Sequence, residues 1–318
     1  MGAGYPRRMA EPPTDRQAAG VLLVLASTIA FAVGPTAVRL ALDDGSNTLT
    51  VVTLRGVVGA ALMSLLVPLS RQGFGVDRRA LRWCLYCGVL YSLTVYGFIG
   101  AVARVPVSVA VLVFFTHPVL VAIVAHSRGG DRLTPGKLLL ALAALAGLAL
   151  VLGPGFGTLD PAGVALAALA AVAMCGMVLC VARAQEHATS TQVTLYATAA
   201  SSAAFAMLAT ALGAWAPPAN VVGWLGIAGA GVGIGVGLLT LFAALRHLSP
   251  VRATMLSNLE PLVSILFAAA ILGERPGPPQ WAGVALVIGA LVLFETVGRG
   301  RRTNGRGRDA YGTTSRRT

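Results

Sequence analysis

The sequence predicts an all-α integral membrane protein whose ten transmembrane helices form two inverted five-helix repeats. Three observations support this fold class: an apolar composition, the recurrence of long apolar runs, and a similarity between the two halves of the chain. Of the 318 residues, 56% are hydrophobic and 11% are charged, and the mean hydropathy is +0.77. The hydrophobic share and the mean hydropathy exceed those of a soluble domain, and the charged share is lower. Because aromatic residues are scarce and small residues abundant, closely packed helices are favoured over a β-barrel.

Apolar runs of about 17 to 25 residues, long enough to cross ~30 Å of hydrocarbon as a helix, recur along the chain. We predict ten spans, at residues 17–41, 48–69, 81–103, 106–125, 136–153, 161–183, 192–214, 221–245, 251–272 and 279–297. The first run could instead be a secretory signal, because Arg7 and Arg8 precede it and small residues follow its core. The apolar pattern continues to Leu42, which favours a transmembrane helix.

An internal repeat relates the two halves at an offset of 143 residues without a gap. Six identical pairs mark the alignment: Gly20 and Gly163, Gly88 and Gly231, Ala101 and Ala244, Ala110 and Ala253, Pro118 and Pro261, and Pro135 and Pro278. The offset also matches the spans five to five. Since five is odd, the second copy must enter the membrane from the opposite side, which is the construction of many carriers.

These features divide the chain into four parts. We expect a cytoplasmic N-terminal tail at residues 1–16, a first repeat at 17–153, a second repeat at 161–297, and a basic cytoplasmic tail at 298–318. The last of these is rich in arginine and glycine and should be disordered. Its charge favours contact with anionic membrane lipid, and we predict no nucleic-acid partner.

The distribution of positive charge predicts the topology. With both termini in the cytoplasm, 20 of the 24 Lys and Arg residues fall on the cytoplasmic side. The exceptions are Arg39, Arg55, Arg104 and Arg275. Arginine outnumbers lysine 23 to 1, which suggests a GC-rich bacterial source and hence a multi-pass protein of the bacterial inner membrane.

Two ionisable residues occupy equivalent positions in the repeats, and each precedes a proline. Glu260 precedes Pro261 in the ninth span, and His117 precedes Pro118 in the fourth. A proline frees a backbone carbonyl one turn earlier, which suits a kinked helix lining a cavity. Glu260 either contacts solute or carries a coupling proton, or it is hydrogen-bonded to fix the kink. His117 either joins a proton relay or is a neutral buried histidine.

Further polar residues are candidates for contact with a solute. Ser257, Glu260 and Ser264 are spaced three and four apart and share one helix face, with Asn258 beside them. Thr116 adjoins His117 in the first repeat. Such a stripe should face an aqueous cavity or another helix rather than lipid.

The third span contains an unusual cluster that includes Tyr91 and Tyr96. Tyrosine can stack on a solute or hydrogen-bond to it, or it can pack between helices with a satisfied hydroxyl. Arg55, in the second span, could attract an anionic group or extend to lipid headgroups.

Two other patterns predict packing rather than chemistry. The glycine-rich stretch at 226–237 lacks the order of a nucleotide-binding loop and indicates a small-residue packing face. Cys84 and Cys87 form a CxxC with no second pair at metal-site spacing. We therefore predict no metal and no cofactor.

Residues 250–295 resemble the end of the second repeat in EamA-type transporters of the drug/metabolite transporter superfamily. The shared features are a proline-marked span, a closing Leu-Gly-Glu at 272–274, and a Gly-rich final helix. The resemblance covers residues 17–297 and implies two five-helix repeats and a transport activity in the direction of export. The first repeat departs from the pattern, because Asp131 replaces the glutamate that the family carries there.

The sequence therefore favours a secondary transporter, acting by alternating access on a small metabolite, amino acid or drug-like compound. Coupling to protons or to the solute's own gradient is open, as is the choice between monomer and homodimer. Two alternatives are a membrane-embedded lipid- or prenyl-modifying enzyme and a membrane scaffold. The chain contains no HExxH, GxSxG or Walker motif to support an enzyme or a pump.

Overall fold

The computed structural model of the chain describes residues 14–69, 73–129, 133–153, 159–264, 266 and 277–309. These residues form helices and turns, with no strand among them. Nine segments of this part are long and apolar enough to cross a membrane. The remaining predicted span, 251–272, is described at residues 251–264 and 266, and Asp131 and Glu274 lie outside the described residues.

The described part of the chain contains the following helices, numbered in chain order: α1 (Thr14–Asp43), α2 (Thr48–Leu69), α3 (Arg78–Val102), α4 (Val107–Phe114), α5 (His117–Ser127), α6 (Pro135–Leu152), α7 (Pro161–Ala184), α8 (Ser190–Ala211), α9 (Val221–Ala244), α10 (Pro250–Leu256) and α11 (Pro278–Asp309). A single 3-10 turn, Ser257–Leu259, follows α10, and helical backbone resumes at residues 260–264. The fourth predicted span is thus two helices, α4 and α5.

Polar caps fix where several helices begin. The Asp77 carboxylate accepts a hydrogen bond from the amide of Ala80 at the start of α3. Thr189 and Gln192 form a reciprocal capping box at the start of α8. Each cap satisfies amides that have no partner inside the helix, so the loops end at defined positions.

Helices α2 and α8 are repeat equivalents, and they lie side by side in opposite directions. At one end, Thr50 near the start of α2 accepts a hydrogen bond from the amide of Ala216, just beyond the end of α8. At the other end, Gln192 in the first turn of α8 donates to the carbonyl of Gly73, just beyond α2. Equivalent helices that run antiparallel show that the two repeats are inverted, as predicted.

The main helix pairs combine one helix from each repeat. Helix α1 packs on α9, and α3 packs on α7. Adding 143 to the residue numbers of α1 gives α7, and adding 143 to those of α3 gives α9, so the two pairs are equivalent in the repeat. The equivalence extends to single contacts. A Cβ at Gly20 would lie 2.7 Å from the Leu248 side chain, and a Cβ at the equivalent Gly163 would lie 2.7 Å from Val105, the equivalent of Leu248. The two repeats are therefore interleaved around a pseudo-twofold axis.

The glycine-rich helix α9 meets α1 at backbone distance. A Cβ at Gly226 would lie 2.5 Å from the carbonyl oxygen of Ala37, and one at Gly233 would lie 2.7 Å from that of Ala30. The Ser27 hydroxyl donates to the carbonyl of Gly237 across the same contact. The interpretation of this stretch as a packing face is thus confirmed, since only glycine permits such an approach.

The two repeats are interrupted at equivalent positions. In the first repeat α4 ends at Phe114 and α5 begins at His117. In the second, the 3-10 turn begins at Ser257 and helix resumes at Glu260, which are the same positions after the offset of 143. Each proline is the second residue of the resumed helix, where a missing amide hydrogen costs nothing. The two interruptions carry the buried polar residues His117 and Asn258.

Helix α11 continues to Asp309, into the segment for which we expect disorder. Its membrane-compatible part ends at Thr296, so the continuation carries the first arginines of the tail. The expectation for residues 310–318 lies outside the described residues.

Candidate functional site

The first helix interruption places His117 in an aromatic environment. Its ring lies 5.0 Å from the Phe114 ring and 5.7 Å from the Phe115 ring, measured between centroids. The Nδ1 atom lies 3.0 Å from the carbonyl oxygen of Phe114, and the Nε2 atom is buried with no hydrogen-bond partner. Thr116 donates its hydroxyl hydrogen to the carbonyl of Val113, 2.6 Å away.

The second interruption carries the equivalent polar cluster. Asn258 is buried in the 3-10 turn, and its Oδ1 atom has no hydrogen-bond partner. Ser257 donates to the carbonyl of Ala253, which satisfies its hydroxyl within its own helix. Glu260 is half-buried, and no hydrogen bond or ion pair reaches its carboxylate from the part of the chain that the structure describes.

Helix α1 contributes a third polar group that the sequence analysis missed. Thr28 lies halfway along α1, and its buried Oγ1 atom has no hydrogen-bond partner. Helix α1 contacts both α10 and the 3-10 turn, so Thr28 lies on the helix that borders the second interruption. A signal was present, because Ser27 and Thr28 form a polar pair at the centre of an apolar run.

These three atoms form a distinct set. Among the described residues, Thr28 Oγ1, His117 Nε2 and Asn258 Oδ1 are the buried side-chain nitrogen or oxygen atoms without a hydrogen-bond partner, and each residue is 2% exposed. Thr28 lies close to the middle of α1, and His117 lies close to the middle of the segment Val107–Ser127. Leaving such an atom unpaired costs about 1–3 kcal/mol, so each of the three atoms would be stabilised by a further hydrogen-bonding group.

A groove of about 440 Å³ runs between α1, the segment that begins at Leu259, and α11. Thr28 and Gln280 are the polar members of its described lining, which is otherwise apolar and includes Leu259, Val263 and Trp281. Glu260, Ser257 and Ser264 are absent from that lining. The predicted polar stripe therefore lies on a different side of the ninth span from this groove.

The remaining candidates lie apart from the interruptions. The Tyr96 side chain is 53% exposed on the outside of the bundle, whereas Tyr91 packs in an apolar cluster with Val52 and Phe205. Arg55 is half-buried on α2, within electrostatic range of the Tyr91 hydroxyl. The structure thus does not bring the tyrosine cluster together as one site.

One end of the bundle is closed by hydrogen bonds between loops of the two repeats. Asn220 donates to the Asp44 carboxylate through its backbone amide at 2.7 Å and its side-chain amide at 2.6 Å. These bonds, the side-chain bond foremost, hold the pKa of the Asp44 carboxyl below its ordinary value. Ser46 and Asn47 donate to the carbonyls of Ala216 and Ala214 beside it.

The opposite end of the bundle carries an ion pair that the sequence analysis also missed. Arg252, at the start of α10, binds both carboxylate oxygens of Glu295 near the end of the membrane-compatible part of α11. A third guanidinium nitrogen donates to Gln17 at the start of α1, 3.0 Å away. The positions equivalent to Arg252 and Glu295 in the first repeat are Val109 and Leu152, so this ion pair belongs to one end only.

The fold and these sites define a polytopic α-helical membrane protein built from two inverted five-helix repeats. The fourth span of each repeat is interrupted. Comparison with family profiles matches the EamA-like transporter family twice, at residues 18–153 and 161–296. The chain belongs to that family, within the drug/metabolite transporter superfamily, and it is a transporter of this general type.

A solved structure confirms the fold. It matches with a TM-score of 0.77 over 88% of this chain and 98% of its own, at 19% sequence identity, and its title reads only "Crystal structure of protein". At this identity the likeness shows the fold and nothing about the solute. No curated protein matches the chain.

Proposed function

We propose that the protein is a secondary transporter that exports a small metabolite, amino acid or drug-like compound by alternating access. The observation that supports this most directly is the pair of equivalent helix interruptions, each of which carries an unpaired buried polar atom, on His117 in the first and on Asn258 in the second. Carriers with inverted repeats bind solute near the midplane of the membrane, at broken helices. The solute would supply the missing hydrogen bonds and would be released on either side as the two closed ends open in turn.

The proposal also assigns an orientation in the membrane and a role to each part of the chain. Both termini lie in the cytoplasm of a bacterial cell, with 17–153 and 161–297 as the two repeats that share the solute pathway. Gln17 and Arg252 then lie at the cytoplasmic end, and Asp44 lies at the outer end. The basic tail contacts membrane lipid, and Glu260 is the group that couples transport to a proton or binds the solute directly.

An enzyme and a scaffold are the alternatives, and each makes a different prediction. A scaffold that binds a partner through the basic tail would lose its function on deletion of residues 299–318, whereas a carrier would keep its transport rate. A lipid- or prenyl-modifying enzyme would alter its substrate chemically, whereas a carrier releases it unchanged. Membership of a transporter family favours transport over both.

We expect Glu260→Gln to reduce transport by about tenfold or more, because it removes the charge from a half-buried carboxylate at the interruption while preserving its size. A solute is first selected by screening overexpressing cells for altered sensitivity to amino acids, nucleosides and drugs. Its flux is then measured in liposomes containing purified protein. The matched control is Glu186→Gln, on a side chain outside the spans.

Two outcomes of this flux measurement would contradict the proposal at different levels. Flux that is unchanged by Glu260→Gln, with wild-type flux intact, would remove Glu260 from binding and coupling. Absence of flux for every solute selected in cells would contradict the proposed transport itself.

A further inference from the structure

Three of the four cysteines meet at the contact between α3 and α7. Cys84 and Cys87 belong to the first repeat and Cys180 to the second, and all three are buried free thiols. The contact itself joins the two repeats, since α3 and α7 come from different halves of the chain. The proposed transport assigns no role to these thiols.

Small residues bring α3 and α7 close together and fix their register. A Cβ at Gly97 of α3 would lie 3.2 Å from the Cβ of Ala170 on α7, and a Cβ at Gly176 would lie 3.4 Å from the Leu90 side chain. The helices are therefore antiparallel, because a later position in α7 meets an earlier position in α3. At the first of these contacts they approach within the distance that a disulfide spans, about 3.8 Å between Cβ atoms.

One further turn along this register brings Cys180 to Cys87. Cys180 lies four residues after Gly176, and Cys87 lies three residues before Leu90. The Cys180 thiol donates to the carbonyl oxygen of Trp83, 3.6 Å away. In an α-helix that carbonyl accepts from the amide of Cys87, four residues later, and the Cys87 side chain leans back toward the same turn. A side-chain hydrogen bond joins the Cys87 and Cys180 thiols.

The other two cysteines are placed differently. Cys84 lies one turn before Cys87 and within electrostatic range of Cys180. Cys175 is buried on α7, but five residues turn it by about 140° from Cys180, toward Arg128 of α5. The pair that connects the repeats is thus Cys87 and Cys180, with Cys84 as its nearest competitor.

The pair lies near one end of the bundle. Cys180 is four residues before Ala184, the last residue of α7, which corresponds to about 6 Å along the helix axis. At the same end α3 begins with two charged residues, Arg78 and Arg79. A small polar reagent therefore has a short path from water to the Cys180 thiol, which is 7% exposed.

We propose that Cys87 and Cys180 are a site of oxidative modification, where a small two-electron oxidant joins α3 to α7 by a disulfide and so holds the two repeats together. Each thiol loses its hydrogen, one sulfur–sulfur bond forms, and the oxidant receives two electrons and two protons. With diamide as the oxidant, the nitrogen–nitrogen double bond of the reagent becomes a hydrazine.

Counting free thiols tests the site without any solute. Purified full-length protein in detergent is treated with diamide, denatured, and reacted with a polyethylene glycol maleimide that slows its migration once for each free thiol. We expect the number of additions to fall from four to two, because one disulfide uses two of the four thiols. Dithiothreitol should restore all four, and mass spectrometry of peptides should recover Cys87 linked to Cys180.

Alanine variants identify the linked pair, after their reduced forms are shown by Tm to be folded. Cys175→Ala is the matched control, because Cys175 is as buried as Cys180 and lies on the same helix. It should lose two thiols to diamide as the wild type does, and so should Cys84→Ala. Cys87→Ala and Cys180→Ala should each keep all of their remaining thiols.

The effect on transport rests on the proposed function, in which the two repeats move against each other. In liposomes, with the solute selected in cells, diamide should lower the flux of the wild type and of Cys175→Ala by about tenfold or more. Dithiothreitol should restore that flux. The flux of Cys180→Ala should respond to neither reagent.

The modification site is overturned if the wild type keeps four free thiols in diamide, or if folded Cys87→Ala or Cys180→Ala still loses two. The holding of the repeats is overturned if the disulfide forms and the flux is unchanged. The transport proposal is judged on the flux of the reduced protein, so the two proposals fail separately.

Discussion

Gly283→Ala is expected to destabilise the protein by about 2 kcal/mol, whereas the same change at Gly289, on the same helix, should be neutral or slightly stabilising. A Cβ at Gly283 would lie 2.5 Å from the carbonyl oxygen of Gly147 and 2.7 Å from the amide nitrogen of Val151. Both atoms belong to the backbone of α6 and cannot rotate away. The methyl group would therefore force α11 and α6 apart along their whole contact.

Gly289 provides a matched control, because nothing lies within 4 Å of the position that its Cβ would occupy. There the substitution adds only helix propensity, worth up to about 1 kcal/mol in favour of alanine. The two variants are compared by reversible unfolding in mixed micelles. Equal stability of the two variants would contradict the close approach of α6 and α11, which are repeat equivalents.

Glu295→Ala is expected to destabilise the protein by about 2–3 kcal/mol. Arg252 and Glu295 are 18% and 19% exposed, so removing the carboxylate leaves a mostly buried guanidinium without its principal acceptor. We place the effect below that of a fully buried pair because the remaining exposure allows some hydration. The measurement is the free energy of unfolding at neutral pH.

The exposed pair Arg183 and Glu186 is the control for this effect, since its groups are 30% and 41% exposed and 3.8 Å apart. Glu186→Ala should cost less than about 0.5 kcal/mol. A double replacement, Arg252→Met with Glu295→Leu, should recover most of the loss, because it removes both charges together. If Glu295→Ala costs no more than Glu186→Ala, the pair does not join α10 to α11 as described.

The sequence was sufficient to predict the architecture because membrane spans and repeats leave direct marks on it. Apolar runs predicted the helices, and a gap-free offset of 143 residues predicted which residues of the two halves are equivalent. That correspondence also singled out His117 and Glu260. The structure places both at the interrupted helices, where each precedes its proline at the start of a new helical segment.

What the sequence could not predict depends on which helix surfaces face each other. The pairing of Arg252 with Glu295 and Gln17 joins residues from three distant parts of the chain, and no local pattern marks it. Tyr91 and Tyr96 looked like one cluster, but five residues along a helix turn the side chain by about 140°, so they lie on different faces. Thr28 was missed because a single hydroxyl barely alters an apolar run.

The interleaving of the repeats is the feature with the greatest functional consequence. Because α1 pairs with α9 and α3 with α7, neither repeat encloses the interruptions by itself. The hydrogen-bonded loops at the Asp44 end and the hydrogen bond from Arg252 to Gln17 at the opposite end also join the two repeats. We therefore expect opening at either end to require breaking contacts between repeats rather than within one.

The inversion of the two repeats is the central claim, and labelling of two equivalent residues tests it most directly. Asp43 and Glu186 are related by the offset of 143, and their side chains are 71% and 41% exposed, whereas the four native cysteines are buried. In whole cells a membrane-impermeant maleimide should label a cysteine at only one of these positions, and the other only after permeabilisation. Labelling of both from the same side of the membrane would contradict the inverted repeat.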